Sequence, residues 1–571
     1  MARRVYNVDR HYSLGLAGIM LEGLDLDAIQ DENVRQCIVV LLNLVEELKQ
    51  ENRQLREENQ RLRDENNRLK GEQGKPNIRP NTPKPQPKKP SDYSSEQERH
   101  VPKPWSKSGK KERIRIDREE TVRVDRTALP PDAEPKGYED VVVQDVVFRA
   151  DNVLFHKEKL YSPSQSKTYL APLPPGYEGQ FGPSIRALTP VLYHLGQMTE
   201  PKILELYRNV GVLVSAGELS NLLIKGQEQF HAEKDAVYEA GLRSSPWQQI
   251  DDTSARVKGQ NEHCQIVCNP LYTAYFTTES KDRQTILDVL RNGRPRQYLL
   301  NAEADGYLDT FGLSNVTRQQ LARLPREQVL DDPTMQALLA EHLPNLGPQQ
   351  RRWILDATGI AAYHAETEWP VVRLLVCDDA PQFTLVTGQL AECWIHEGRH
   401  YKKLDPWVAR NRELLQEFRG KLWGYYRELL AYRESPTPQE RERLAAEFDT
   451  LFATQTGYRA LDERIVMTRA KKAELLAVLE HPEIPLHNNE SELGARQQVR
   501  KRDISFGPRA DDGAKAWDSF MTLAGTARKL GVSFYAYIHD RISQANQMPS
   551  LASVLTDRAK HLNLASSWNT P

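Results

Sequence analysis

A seven-residue repeat of leucine is the most regular hydrophobic pattern in the chain. Leucine recurs at Leu41, Leu48, Leu55, Leu62 and Leu69, and asparagine fills the other core position of three heptads at Asn52, Asn59 and Asn66. The flanking positions pair acidic with basic residues. Since a buried asparagine selects two parallel strands in one register, the pattern predicts a coiled-coil dimer over residues 33–70. A single solvated helix is the alternative interpretation.

Strict alternation of apolar and polar residues follows further along the chain. The segments IRIDREETVRVD and DVVVQDVVFRADNVLF are rich in valine and typical of short antiparallel strands. They predict a small β-rich module over residues 113–182. Residues 183–242 change to helical spacing, with glycines that separate short helices. This region is predicted either to bind DNA in a helix-turn-helix-like manner or to form a plain packing layer.

The largest predicted unit covers residues 243–507. Residues 247–280 alternate as a three-stranded meander and are followed by a short helix, and VVRLLVCDD at 371–379 predicts a buried strand that ends in two aspartates. The remaining segments are predicted to be helical, with inserts at about 295–362 and 385–480 and C-terminal helices and a tail at 508–571. We therefore expect a multidomain α+β or α/β protein.

Composition excludes several classes of protein. The chain has 571 residues, of which 27% are charged and 39% hydrophobic, and it contains no apolar run of the length that a membrane span needs. Its five cysteines do not make a disulfide framework in so long a chain, which indicates a reducing, cytoplasmic compartment. The net charge of −2 means that any nucleic-acid surface must be local.

One segment is strongly basic. Residues 71–116 contain eight prolines and twelve Lys or Arg against five Asp or Glu. Such a composition cannot bury a core, so a proline-rich basic linker is predicted over 71–112, after an N-terminal arm (1–32) and the coiled coil. Its candidate contacts to DNA phosphate are Lys88, Lys89, Lys110 and Lys111. A spacer kept soluble by its charge is the alternative, and both interpretations can hold.

Three pairs of acidic residues stand out by their place in the predicted elements. Asp251 and Asp252 lie in the first strand of the meander, Asp378 and Asp379 end the later strand, and Glu490 and Glu492 lie near a helix start. An RNase H-like fold builds a metal site from acids in this order. Phosphodiester cleavage and strand transfer use two divalent cations, one on the attacking and one on the leaving oxygen. Carboxylates are the ligands that Mg²⁺ prefers, so two Mg²⁺ ions are expected, with Mn²⁺ as a substitute.

These residues resemble the DDE transposases of the insertion-sequence 66 family. Asp251-Asp252-Thr253 is similar to the family's first motif, and Asp378 is followed, as in the family, by a Cys-Trp-x-His motif at Cys393-Trp394-Ile395-His396. The sequence Asn488-Asn489-Glu490-Ser491-Glu492 is similar to the last motif. The resemblance spans most of the chain and implies that Asp251, Asp378 and Glu492 are the catalytic, metal-binding acids. Residues beside them are secondary candidates, namely Asp252, Asp379, Glu490, Asn488, Asn489 and His396.

The chain also departs from the family pattern. The family usually carries a cysteine-paired zinc segment between linker and core, whereas the corresponding stretch here has no cysteine, so no zinc is predicted. His487 and Leu493 replace the usual Asp and Arg. Basic residues after Glu492 are candidates for DNA phosphate, with a solvated helix face as the alternative, namely Arg496, Lys501, Arg502 and Arg509.

The sequence therefore predicts a DNA transposase that cuts the ends of an insertion sequence and joins them to target DNA. The expected partners are double-stranded DNA, a second copy of the chain through the coiled coil, and helper proteins encoded by the same element; no membrane is expected. The expected location is the bacterial cytoplasm, at the nucleoid when bound to DNA. The alternative function is that of a transposase-derived DNA-binding protein that no longer cuts.

Overall fold

The structure of the chain is a computed structural model that describes residues 26, 28–69, 114–125, 137–177 and 179–568. The predicted linker at 71–112, with Lys88, Lys89, Lys110 and Lys111, lies outside these residues, as does the predicted arm up to residue 25. The described part is a mixed α and β protein built around a five-stranded sheet. At this level the fold class predicted from the sequence is confirmed.

The strands form one five-stranded sheet and two two-stranded antiparallel sheets among the described residues. In chain order they are β1 (Lys159–Ser162), β2 (Lys167–Leu170), β3 (Trp247–Val257), β4 (Gln260–Asn269), β5 (Tyr272–Thr278), β6 (Gln297–Leu299), β7 (Val329–Asp331), β8 (Leu374–Cys377) and β9 (Gln389–Glu392). The large sheet has the order β5-β4-β3-β8-β9. β3, β4 and β5 form the predicted antiparallel meander, while β8 and β9 run parallel to β3.

Helices make up most of the rest of the described chain. They are α1 (Glu32–Leu69), α2 (Pro183–Pro190), α3 (Glu200–Asn209), α4 (Ala216–Ile224), α5 (Glu228–Arg243), α6 (Arg283–Leu290), α7 (Ala302–Thr310), α8 (Asn315–Leu321), α9 (Asp332–His342), α10 (Pro348–His364), α11 (Trp394–Lys403), α12 (Ala409–Glu434), α13 (Pro438–Leu451), α14 (Arg459–Ala470), α15 (Lys472–Leu475), α16 (Ala477–Glu480), α17 (Asn489–Ser505), α18 (Asp511–Lys529), α19 (Phe534–Ile542) and α20 (Leu551–Ala559). Within the described ranges, no helix has both the length and the apolar character needed to cross a membrane.

The large sheet is buried on both faces because successive side chains of a strand point to opposite sides. Ile250 of β3 and Leu375 of β8 face a core shared with α5, α10, α18, α19 and α20. Trp247 of β3 and Val376 of β8 face a second core shared with α11–α14. This double burial explains why the strand at 371–379 reads as a continuous apolar run.

The two predicted helical inserts are present, each with a feature that the sequence did not reveal. The first contains α7–α10 and its own small core, and it also contains the short antiparallel pair β6–β7. The second contains α11–α16, but it opens with β9, which extends the large sheet next to β8. β9 has only four residues, too few for a recognisable period.

The region predicted as a small β-rich module differs from the prediction. Among its described residues, 114–125 and 137–158 form no strand, and the single hairpin is β1–β2. Valines of the alternating segments are exposed, because no second layer covers them, and an alternating strand needs such a layer to bury its apolar face. Residues 183–242 are helical as predicted, with Ser215 and Glu218 forming a capping box at the start of α4.

Helix α1 presents two different faces. On one face Leu42 is buried against Val408, and the Glu46 carboxylate accepts hydrogen bonds from the backbone N–H groups of Trp407 and Val408 at 2.9 and 2.7 Å. The other face carries the predicted dimer leucines. Their exposed fractions are 59% for Leu41, 57% for Leu48, 50% for Leu55 and 57% for Leu62. Four leucines in one stripe leave apolar surface in contact with water, which costs free energy that pairing would recover. The dimer through α1 therefore stays a prediction, and this cost is its physical reason.

Replacing Leu48 and Leu55 together by aspartate is expected to convert a dimer to a monomer, because two charges would then meet their symmetry mates in the apolar seam. Size-exclusion chromatography with light scattering measures the mass directly. The matched control replaces Gln50 and Gln54 by aspartate, since both are exposed and lie outside the seam. A wild-type chain that elutes as a monomer at micromolar concentration would contradict the prediction.

Candidate active site

The first two acids lie at the same level of neighbouring strands. β3 and β8 are parallel, and their last hydrogen-bonded pair is Gln249 with Val376. Asp251 and Asp378 each follow that pair by two residues, so both point to the same face of the sheet. Asp378 comes directly after β8, and the backbone N–H of Ala380 donates to its Oδ1 at 3.2 Å. The strand register therefore brings two carboxylates together.

The pKa of Asp251 is influenced by the other two acids. Its pKa is raised from 3.8 to about 7, first by burial and then by the negative charges of Asp378 and Glu492. The backbone N–H of Asp252 donates to its Oδ1 at 2.9 Å and offsets part of this rise. Burial also raises the pKa of Asp378 above its ordinary value, as do the charges of Asp252 and Asp379. Repulsion among carboxylates in a partly buried place is what a bound cation would relieve.

Helix α17 brings the third acid. The backbone N–H of Glu490 in its first turn donates to the side-chain oxygen of Gln249 at 3.2 Å, which ties the helix start to the Asp251 face of β3. Gly494 lets the helix approach the sheet closely, because a Cβ there would lie 2.8 Å from Cγ2 of Ile266, the residue paired with Asp251. Glu492 is buried in the first turn of this helix, and its charge reaches Asp251.

The Glu492 carboxylate is held by basic side chains. Arg399 of α11 donates from Nη2 to both of its oxygens at 3.2 and 3.3 Å. Nη1 of Arg399 donates to Nε2 of His396 at 2.8 Å, so this nitrogen is an acceptor and the imidazole is neutral. Burial and the Arg399 charge lower the pKa of His396 to about 4. Arg496, one turn along α17, lies 3.6 Å from the same carboxylate.

The neighbouring acids are engaged elsewhere. Asp252 is paired with Lys281 at 3.0 Å and accepts from the amide of Gln382 at 3.0 Å. Asp379 contacts His400 at 3.1 Å and Lys471 at 3.3 Å. Glu490 is paired with Lys529 at 2.6 Å. Lysine side chains thus pair with Asp252, Asp379 and Glu490, whereas Glu492 is paired with Arg399 and its charge reaches Asp251. The sequence preferred Asp251, Asp378 and Glu492 to their neighbours only through the family resemblance.

The donor set fits a hard divalent cation. Within the described residues no three His, Cys, Asp or Glu side chains are already arranged around one metal position. However, the acids are carboxylates, and buried polar atoms beside Glu492 lack partners, namely both side-chain atoms of Asn488 and Nδ1 of His396. Mg²⁺ keeps several of its waters when it binds to proteins. Those waters would give these orphaned atoms hydrogen-bond partners.

The basic residues predicted to contact DNA do not share one environment. The prediction that Lys501 contacts DNA phosphate is wrong. This residue is fully buried, and its Nζ lies over the Tyr193 ring, so it cannot reach a phosphate on the surface. Burial lowers the pKa of Lys501 to about 7. Arg502 donates to the Ser254 carbonyl of β3 at 2.6 Å and braces the helix against the sheet. Arg496 and Arg509 are exposed as predicted.

Four residues of the site were missed by the sequence interpretation. Arg399 lies three residues after His396 in the motif that begins with Cys393, a helical spacing that places both on one face. Lys281 and Gln382 are distant in sequence from Asp252, which both contact, and only these contacts reveal a role. Gly494 carried a signal, since a glycine inside a helix is costly unless a close approach requires it.

The comparison with known proteins gives a relative but no activity. The uncharacterized protein y4jO of Sinorhizobium fredii is 33% identical over 332 residues, which cover 57% of this chain and 100% of that protein. The chain belongs to the same family as y4jO. The name of this relative assigns no chemistry to the family. No family model matches the chain.

Replacing Asp251 by asparagine is expected to stabilise the metal-free protein more at pH 8 than at pH 5. An acid with a raised pKa in the folded state makes the fold less stable as pH rises from its unfolded value of 3.8 to about 7, and asparagine removes that cost. Thermal melting in EDTA should show a Tm gain of roughly several degrees at pH 8. Asp252→Asn is the control, because it loses the Lys281 ion pair and should show no gain. Equal gains at both pH values would contradict the pKa of Asp251.

Replacing Gly494 by alanine is expected to destabilise the protein by about 1–3 kcal/mol, because the new methyl group overlaps Ile266 and forces α17 away from the sheet. Urea unfolding measures the change. Gly217→Ala in α4 is the matched control, since no atom lies within 4 Å of its Cβ position and alanine should stabilise that helix by roughly 0.5–1 kcal/mol. Equal effects of the two substitutions would refute the close approach at Gly494.

Proposed function

We propose that the chain is a DDE-type DNA transposase with an RNase H-like catalytic core. One observation carries the proposal: burial raises the pKa of Asp251, and the charges of Asp378 and Glu492 raise it further, so acids from β3, β8 and α17 lie within electrostatic reach of one another. The sheet order supports the fold assignment. The resemblance implies a sheet of three antiparallel strands followed by two parallel ones, as in β5-β4-β3-β8-β9. It also implies a helix that brings a glutamate to the central strand, as α17 brings Glu492 to β3.

Asp251, Asp378 and Glu492 are the residues that would hold two Mg²⁺ ions, or Mn²⁺ in their place. When bound, such ions stabilise the charge on the attacking and leaving oxygens of an in-line displacement at phosphorus. The strand register places Asp251 and Asp378 at the same level of neighbouring strands. Glu492 would exchange part of its pairing with Arg399 for a metal ion, and the guanidinium of Arg399 would then be available to a non-bridging phosphate oxygen.

The remaining residues have positioning roles in this proposal. Lys281 and Gln382 keep Asp252 away from the metal site. Neutral His396 accepts from Arg399 and orients it. Arg496 and Arg509 provide exposed positive charge for the DNA backbone. Two copies joined through α1 would hold two element ends together, with helper proteins of the same element as further partners, in the bacterial cytoplasm.

The test is cleavage of DNA that carries the terminal sequences of the genetic element encoding the chain. Purified full-length protein with Mg²⁺ or Mn²⁺ is expected to cut the strand at the element end. Asp378→Asn and Glu492→Gln should each reduce the rate by at least about 100-fold, since each removes a ligand charge. Denaturing gels with end-labelled strands measure the rate and the position of the cut.

Adjacent acids provide matched controls for this experiment. Asp252→Asn and Glu490→Gln remove one carboxylate from the same elements and are expected to keep most of the activity, because their charges are spent on Lys281 and Lys529. Specific end binding without cleavage, even with the products of neighbouring genes added, would favour the transposase-derived binding protein instead. Cleavage that survives both Asp378→Asn and Glu492→Gln would exclude the proposed acids.

A further inference from the structure

A cavity of about 520 Å³ opens at the far end of α17 from Glu492. Helix α17 and the loop after it form one wall, α3 and α4 form another, and α18 closes the floor. The walls include the rings of Tyr193, His194, Phe506 and Trp517 and the charged side chains of Glu200 and Arg509. We call this cavity the aromatic pocket. It shares no lining residue with the cluster of acids.

His194 is a buried residue of the aromatic pocket whose hydrogen-bonding groups are not satisfied. The residue is 3% exposed, and neither ring nitrogen has a hydrogen-bond partner. Phe520 stacks on its ring at 5.0 Å between centroids, which leaves the nitrogens at the ring edge. Burial and the nearby Lys501 charge lower the pKa of His194 well below its ordinary value, so one nitrogen donates and the other accepts. An unpaired buried polar group costs stability unless a ligand or water satisfies it.

The backbone around the pocket is unusual in two places. Tyr193 and His194 lie in a π-helical turn, Val191–Leu195, a rare conformation that is frequent at functional sites. Phe506 ends α17 in the left-handed region at φ 60° and exposes 77% of its side chain at the pocket mouth. Gly507 continues the turn at φ 84°, and a Cβ there would overlap the Arg256 carbonyl of β3. This turn therefore holds a large aromatic ring outward, at the cost of backbone strain.

The polar groups of the pocket match a nucleotide. A nucleobase is flat, stacks on aromatic rings and carries donors and acceptors along its edge. Glu200 can accept from an exocyclic amine of that edge, and one ring nitrogen of His194 can pair with a second group of the base once a side-chain shift exposes it. Arg509 is exposed near Glu200. Burial raises the pKa of Glu200 above its ordinary value, and the charge of Arg509 offsets part of that rise. It can bind the phosphate attached to the base.

We propose that the aromatic pocket takes one unstacked nucleobase from the DNA that is bound at the acids. This inference rests on the proposed function, because it needs that DNA. Glu492 and Ser505 lie in one helix and are separated by about 20 Å at its rise per residue. That length corresponds to about six base pairs of duplex. The extruded base therefore lies within about six base pairs of the cleaved phosphate, and its capture fixes where along the DNA the cut falls.

The experiment measures binding of the full-length chain to element-end duplexes by fluorescence anisotropy without added divalent metal. Each duplex carries one mismatch, made by changing only the partner strand, at successive positions within eight base pairs of the cut. A mismatch lowers the cost of unpairing, so the position that enters the pocket should bind about 10-fold more tightly than the matched duplex. Phe506→Ala, which removes an exposed ring, should reduce this advantage to less than about threefold.

Tyr535→Ala in α19 is the matched control, since it also removes a partly exposed aromatic ring and lies outside the pocket. It should leave the mismatch advantage unchanged. Tight binding with no favoured position, or a favoured position that is insensitive to Phe506→Ala and Arg509→Ala, would overturn the inference and leave the proposed function intact. Failure of the wild-type chain to bind element-end DNA at all would instead overturn the proposed function and, with it, this inference.

Discussion

The repulsion among Asp251, Asp378 and Glu492 is the interaction around which the rest of the structure is arranged. Carboxylates brought together in a partly buried place cost free energy, and the effect is visible in the pKa of Asp251, raised to about 7. Two features oppose it. Asp251 can retain a proton near neutral pH, and Arg399 lends its charge to Glu492 from a separate helix. A fold that keeps such a cluster must be stable for other reasons.

Those reasons lie in the layers on either side of the sheet. One core joins Ile250 and Leu375 to the C-terminal helices, and the other joins Trp247 and Val376 to the second helical insert. Polar groups inside the second layer are also satisfied. Trp394 donates its indole N–H to the Leu475 carbonyl at 2.8 Å, and buried Glu397 is paired with Arg464. The helix that carries His396 and Arg399 is thus fixed by packing, so the counter-charge for Glu492 is preorganised.

Helix α17 links the two functional regions. Its first turn is tied to β3 through Gln249, its middle touches the sheet at Gly494, and its end turns at Phe506 beside the aromatic pocket. Lys501 lies buried under the Tyr193 ring and fixes the distal half of the helix to the π-helical turn. Because the helix is one rigid element, a shift at either end would be felt at the other. This gives a physical reason for treating the acids and the pocket as parts of one proposed DNA-binding surface.

Local pattern in the sequence was sufficient for the elements that depend on nearby residues. The meander at 247–280, the strand at 371–379 and the helix that begins beside Glu490 follow from periodicity and are present in the structure. The order of the three acidic sites along these elements also followed from the sequence alone. Only the tertiary structure decided how the neighbouring acids are paired, because Lys281, Lys471 and Lys529 reach Asp252, Asp379 and Glu490 across the fold. The same holds for the burial of Lys501 and for the exposed valines at 137–158. Burial and ion pairing are set by residues that are distant in sequence, whereas periodicity reports only on neighbours along the chain.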